Sequence, residues 1–432
     1  MITIRKPEIV ETGGKTRIQN ILDFDGVEKQ LWFEVPNEYA QYLCPERADA
    51  YVIGVLPYAM RHNKDITCEV PMGEELHYRI TTYLIPSLAN HSKKLHHIKI
   101  VADLDSIPVK NAGGVGTGMS CGVDSMHVLA SEAETGGMYP SLKVTHLTNY
   151  NVGIHSIGQR AEILHAGIEA NATNLANEIG LPIIATDSNF AEVFFSDPSE
   201  GIVHRQPVLT HTYAHAFATY MLQKLWKVYF YSSCGHDFSS FTLKNSEKTS
   251  PARYELLSLD CFSTQSLKIY SQGGAKSRLE KIKTVITYPP AKKHLNVCTW
   301  AVSNCGKCVK CIQILAALDA LDQLDEFHEV FDIEQYKSLR WRHYSFLCGE
   351  RLRKSDIYSV KGTCRILSRK MSILHRLGGL VWFGCFNVID GVEWFCSKNP
   401  ALAKRYSDFV QGFLLRKALA GKSPENRDVK KE

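Results

Sequence analysis

From Val115 onward the chain alternates short apolar runs, glycine-bearing turns and longer amphipathic stretches, and no other feature restricts the fold as strongly. The pattern predicts a strand ending at Met119 and a helix over 125–132. A strand over 143–147, a helix over 157–179, a strand over 182–185 and a helix over 208–225 follow, and an aromatic, β-branched strand runs over 227–232. Strands joined by helices pair in parallel, because only a long crossover returns the chain to the same edge, and parallel sheets are covered on both faces. The expected fold class is therefore α/β, a doubly wound parallel sheet. Such sheets bind ligands beyond the carboxyl ends of their strands. That places candidate contacts at His146, Leu147, Thr148, Asn149 and Asn151 around the end of one strand, and at Asp187 and Asn189 after another. Asn, Asp and Thr are also ordinary turn formers, which leaves a second reading open.

The 432 residues allow two or three domains. Residues 1–112 mix alternating runs, such as Gln30-Leu-Trp-Phe-Glu-Val, with an apolar-periodic stretch over 48–60, and read as an N-terminal α+β domain closed by Pro108 and the Gly113-Gly114 pair. Residues 113–330 form the α/β domain, and 331–432 a helical extension ending in a polar tail over 421–432. From Arg351 onward Lys and Arg outnumber Asp and Glu by more than two to one, so the net charge of +5 belongs to this extension. Without spaced aromatic stacking positions or a reader motif, a solvated helical face explains that excess better than nucleic acid does. The longest apolar run, 377–389, is broken by Asp390 and Glu393 before the roughly 20 residues a bilayer span needs, so no transmembrane helix is expected. The first residues, Met1-Ile-Thr-Ile-Arg-Lys-Pro-Glu, carry no apolar core of a secretory signal, and a cytoplasmic location is expected.

Of 13 cysteines, four crowd into residues 298–311 as Cys298-x6-Cys305-x2-Cys308-x2-Cys311. Overlapping Cys-x-x-Cys units let successive thiolates converge on one ion, and tetrahedral Zn²⁺ suits four sulfurs, although an iron–sulfur cluster uses the same ligand type. With all four positions taken, no site remains for activated water and the ion's role is structural. The remaining cysteines sit singly among apolar or mixed neighbours, as small hydrophobes do.

The segment Gly118-Met-Ser-Cys-Gly-Val-Asp-Ser ends one strand and opens a helix. Outward amides, the helix dipole and the hydroxyls of Ser120 and Ser125 would together suit a phosphate. Asp124 would repel that phosphate unless a cation intervened, which points to Mg²⁺. A plain helix cap uses the same residue types. The Walker pattern is absent, and Gly114-Val-Gly116 lacks the remainder of a dinucleotide fingerprint, so kinase and Rossmann redox readings fall away. Lys276 and Arg278, beyond Gly273-Gly274, are candidates for a lid over phosphates, or simply a turn before a helix. His211 and His215 share a helical face without a metalloprotease glutamate and read as packing; Ser232-Ser-Cys-Gly-His236-Asp237 follows a further strand.

Ser120-Cys121-Gly122-Val123-Asp124-Ser125 resembles the S-G-G-x-D-S loop of the PP-loop ATP pyrophosphatase superfamily. Together with the four cysteines, over about residues 113–325, the chain looks most like the 7-cyano-7-deazaguanine synthase family. The resemblance implies that the loop, through Ser120, Cys121, Gly122, Asp124 and Ser125, grips the pyrophosphate of ATP with Mg²⁺ while a substrate carboxylate attacks the α-phosphate. A 7-deazaguanine carboxylate adenylate would then be attacked by ammonia; in synthase-like proteins of antiphage operons an amine on a partner protein is a further nucleophile. Two departures stand out. Cys121 replaces the first glycine, and the first two cysteines are spaced more closely than in the family. Cys121 reads first as a small residue tolerated in the glycine position and second, beside a helix N-terminus, as a nucleophile, as in a PP-loop sulfur transferase; the basic tail suggests a nonenzymatic nucleotide- or nucleic-acid-binding subunit.

Overall fold

In the computed structural model, residues 1–153, 157–194, 206–233, 238–247, 250–353, 360–396 and 399–420 are described. The strands are β1 (Ile2–Ile4), β2 (Glu8–Thr12), β3 (Lys15–Phe24), β4 (Val27–Pro36), β5 (Ile66–Cys68), β6 (Met72–Gly73), β7 (Ile100–Val101), β8 (Leu104–Asp105), β9 (Gly114–Gly118), β10 (His146–Asn151), β11 (Ile183–Ser188), β12 (Trp226–Ser232) and β13 (Lys268–Gln272). All but β6 and β8 join one sheet in the order β13-β12-β9-β10-β11-β4-β3-β1-β5-β7, with β2 paired to β3. The central pairs β12·β13, β12·β9, β9·β10 and β10·β11 are parallel, so the chain is α/β with a mostly parallel central sheet.

Residues 1–112 do not build a sheet of their own. β4 lies antiparallel on β11, with Phe33 opposite Ser188 and Glu34 opposite Asp187, and this backbone ladder carries the sheet straight into the N-terminal strands. The described residues divide into two compact units: Met1–Met119, Gly137–Ile157 and Gly180–Gly274 in the first, and Ser120–Gly136, Gly158–Ile179 and Ala275–Glu432 in the second. The boundaries expected at 112 and 330 therefore both fall inside a unit.

The first unit holds the sheet and helices α1 (Asp49–Arg61), α2 (Glu74–Arg79), α3 (Ile85–Asn90), α6 (Phe190–Phe194), α7 (Gln206–Met221) and α8 (Glu255–Cys261). Its core gathers Tyr51, Phe33, Phe190, Phe217, Trp226 and Tyr229, all essentially without solvent exposure. The glycines of β9 serve this core. A Cβ on Gly116 would meet Trp226 Cζ3 at 2.8 Å and Tyr229 Cδ2 at 2.9 Å, so only glycine admits those rings. This accounts for Gly114-Val-Gly116 without a dinucleotide.

The second unit is helical: α4 (Val123–Glu134), α5 (Gln159–Ile179), α9 (Arg278–Ile286), α10 (Ala291–His294), α11 (Val309–Ala320), α12 (Ile333–Leu352), α13 (Val360–Leu367), α14 (Ile373–Cys396) and α15 (Pro400–Ala420). Its anchor is the carboxylate of Asp319, 8% exposed, which accepts from the Tyr336 and Tyr344 hydroxyls at 2.9 and 2.8 Å and pairs with Arg340 at 2.9 Å. A buried charge held this way is satisfied rather than reactive. No helix among the described residues is long and apolar enough to cross a membrane.

Candidate functional site

The turn after β9 leads into α4 with Gly122 as N-cap, a residue that has no side chain to cap the helix. No protein acceptor takes the amides of Val123, Asp124 and Ser125 among the described residues, and these are the donors a helix start presents to an anion. Ser125 Oγ donates to the Gly122 carbonyl at 3.2 Å and lies 3.3 Å from Ser120 Oγ, so the two hydroxyls form one polar corner. Ser120 is exposed and Ser125 buried.

Cys121, standing where the family loop has glycine, adopts φ +58°, the left-handed region in which glycine is at ease and an L side chain is strained. The local backbone thus keeps the glycine conformation although the side chain is present. That side chain is fully buried, and burial pushes the thiol up to about 12, so Cys121 is a protonated packing residue rather than the activated nucleophile its position suggested. Its carbonyl accepts from the Asn296 amide at 2.8 Å.

Asp124 is not poised as a free metal ligand. Its Oδ1 takes Arg278 at 2.9 Å and Lys281 at 3.2 Å, both from α9. Burial alone would raise this carboxyl, but the charges of Arg278 and then Lys281 outweigh it and hold the group below its ordinary value. Two cations on one carboxylate leave no surplus negative charge, so the residues present do not form a ready Mg²⁺ site. Asp124 is the residue expected to carry the ion, and in this structure its carboxylate is held by α9. Lys281, 2% exposed, was not foreseen. Its signal was the i,i+3 spacing from Arg278, which places both cations on one face of α9. Lys276 lies apart, pairing with Glu134 at 3.6 Å and donating to Thr284 at 3.2 Å. The start of α9 is fixed by a capping box between Ser277 and Glu280, so residues 277 and 278 belong to a stopped helix and not to a loose lid. His127 completes the surroundings. Burial first, then the charges of Lys276 and Lys281, lower it to about 4, which leaves a neutral imidazole at neutral pH.

The strand-end candidates fall in the first unit and are differently placed than expected, because β10 runs to Asn151 and β11 to Ser188, three or four residues past the expected ends. His146 is therefore at the start of β10, with its ring edge on Trp226 at 5.7 Å, and Leu147 is fully buried; neither side chain is at the carboxyl edge. Thr148 is buried against the Tyr229 hydroxyl at 2.6 Å. Asp187 does lie at that edge, accepting from Asn151 Nδ2 at 2.9 Å and from the Ser188 amide at 2.9 Å, while Asn189 accepts the Trp32 amide at 2.8 Å. His215 packs against Tyr150 and Tyr231, and burial lowers it to about 4. His236 and Asp237 lie outside the described residues.

Cys298, Cys305, Cys308 and Cys311 bring their sulfurs within 4.8 Å of one another, a group able to hold a metal ion. Tetrahedral Zn²⁺ with Zn–S near 2.3 Å requires sulfurs roughly 3.8 Å apart, and the Cys298–Cys308 pair stands at 4.0 Å. Backbone amides aim at the sulfurs: Trp300 and Ala301 on Cys298 at 3.3 Å each, Cys308 on Cys305 at 3.3 Å, and Cys311 on Cys308 at 3.5 Å. Such donors stabilise thiolates, so the donor set fits zinc. Gly306, at φ +66°, makes the knuckle turn, and Cys308 caps α11. Through Asn296, two residues before the first cysteine, this knot also holds the Cys121 carbonyl.

Comparison with protein-family models, with curated proteins and with solved structures returned no match.

Proposed function

We propose that this chain is an ATP-dependent, adenylate-forming enzyme of the PP-loop kind, with a structural zinc. The observation that carries the reading is the start of α4, where the uncapped amides of 123–125 and the hydroxyls of Ser120 and Ser125 share one corner with Arg278 and Lys281. That corner suits the pyrophosphate portion of ATP. The amides and hydroxyls would hold non-bridging oxygens, and Arg278 would shift from Asp124 toward the charge that grows on pyrophosphate as a substrate carboxylate attacks the α-phosphate. One carboxylate oxygen–phosphorus bond forms, the bond to the pyrophosphate oxygen breaks, and pyrophosphate leaves with the electron pair. Mg²⁺ would accompany the nucleotide, neutralising its phosphates.

The substrate proposed is a small-molecule carboxylate, a 7-deazaguanine carboxylate on the resemblance, with ammonia or an amine, including one on a partner protein, as the next nucleophile. The sulfur-transferase alternative is disfavoured by the buried, protonated Cys121. The decisive experiment is chromatography of nucleotide products with the deazaguanine carboxylate and ammonia: AMP and pyrophosphate are expected, whereas ADP with inorganic phosphate overturns the assignment.

A further inference from the structure

Helix α14 is apolar on two opposite faces. One face, through His375, Gly379 and Phe386, is turned inward and packs on α12, where Gly349 meets the Trp382 Cβ and the Gly379 carbonyl, and Phe386 meets Phe346 edge to face at 5.4 Å. At 100° per residue, Leu374, Leu377, Val381, Val388, Val392 and Phe395 fall within about 60° of one another on the other side. All six are exposed, Val381 at 70% and Val388 at 67%. An apolar row this long is too extended to be scattered surface hydrophobicity, and its rim indicates what covers it.

Leu377 and Leu380 also line an open cavity of about 880 Å³ whose other walls include Arg351, Lys361, Arg365 and Arg376, with no acidic residue among its described lining. Arg351, Arg365 and Arg376 make no ion pair with a described carboxylate. Three guanidinium groups without a described carboxylate partner, beside an exposed aliphatic row, match a surface that is anionic outside and hydrocarbon just beneath.

We propose that the α14 face docks this chain on an anionic phospholipid surface, with the arginine-lined cavity taking a lipid phosphate and the Leu377–Val381–Val388 row entering the acyl boundary. The helix lies in the interface and does not span it: its inward face is committed to α12, and Asp390, paired with Arg353 at 2.8 Å, interrupts the remaining circumference. This inference does not rest on the adenylation reading.

The test is co-sedimentation of the full chain with phosphatidylserine-containing vesicles and with pure phosphatidylcholine vesicles, at low and high salt. Binding to the former, lost with salt and absent from the latter, is expected. Arg365→Ala and Arg376→Ala should each weaken it about fivefold, in line with the contribution of one cation near a charged membrane. Val381→Asp with Val388→Asp should abolish it while circular dichroism and unfolding midpoint stay unchanged, because both side chains already face solvent. No sedimentation with anionic vesicles overturns the proposal. So does a chain that is dimeric in solution and becomes monomeric in the Val381→Asp, Val388→Asp variant, which would assign the face to a second copy.

Discussion

Asp124→Asn separates the two roles open to this carboxylate. Removing the charge leaves Arg278 and Lys281 converging on a neutral amide, Lys281 with almost no access to solvent. Stripping one partner from a buried pair costs about 3–5 kcal/mol. The lower end, about 3 kcal/mol, applies here because Asp124 itself is 22% exposed and Lys281 keeps a further interaction. Urea unfolding should show that loss without nucleotide. A bound triphosphate then supplies the missing negative charge, and a ligand at one hundred times its dissociation constant returns about 2.7 kcal/mol. A non-hydrolysable ATP analogue with Mg²⁺ should therefore stabilise the variant at least as much as the parent. Turnover should nevertheless fall on the order of 10²-fold, since Asp124 no longer fixes the two cations where the leaving group charges up. An unfolding midpoint equal to the parent's would refute the ion-pair argument. Nucleotide that stabilises the parent but not the variant would refute the latch and return Asp124 to direct metal binding.

Elemental analysis should give about one zinc per chain, and Cys308→Ser should release it and lower stability; a stable, metal-free Cys308→Ser protein would defeat the structural role. In native protein at neutral pH, iodoacetamide followed by mass spectrometry should label the exposed Cys385 well before Cys121, whose buried thiol is raised to about 12. Prompt labelling of Cys121 would reopen the nucleophile reading. His127 carries a pH prediction. Its folded value is depressed from 6.5 to about 4, so the unfolded chain binds more protons in that window and stability should decline as pH falls through it. His127→Gln should flatten that part of the stability profile, and an unchanged slope would show that other groups set it.

How much was legible depends on which force fixes each feature. The parallel strands and the four-cysteine knot follow from local pattern, since periodicity and ligand spacing are written in neighbouring residues. The strand ends were not legible: Thr148, Asn149 and Asp187 have turn-forming chemistry, yet the ladder pairing Leu147–Asn151 with Ile183–Asp187 holds them extended, and only the partner strand reveals that. The continuity of the sheet through β4 was hidden for the same reason, because an antiparallel contact between Glu34 and Asp187 leaves no trace in either segment alone. In the candidate site, Ser120, Gly122, Asp124 and Ser125 were readable as one loop, and Arg278 only as part of a separate candidate turn with Lys276. Lys281 was not, since a lysine in an amphipathic helix ordinarily marks the solvated side.

The placement of Lys281 changes how the loop's acid is understood. An aspartate in the first turn of α4 already gains from the helix dipole, but it also opposes any anion the same amides would hold. Clamping its Oδ1 with two cations resolves that conflict: the corner carries one net positive charge beyond the carboxylate, and Arg278, less buried than Lys281, is the arm better able to leave. On the proposed reading, arriving phosphate would draw Arg278 away while Lys281 stays on Asp124, so that the carboxylate keeps one cation. The four-cysteine knot contributes at one remove. Asn296, set by the knot, holds the Cys121 carbonyl and so helps maintain a left-handed backbone that a cysteine would not choose unaided. Loss of the metal should therefore loosen the phosphate corner as well as the helix that Cys308 caps.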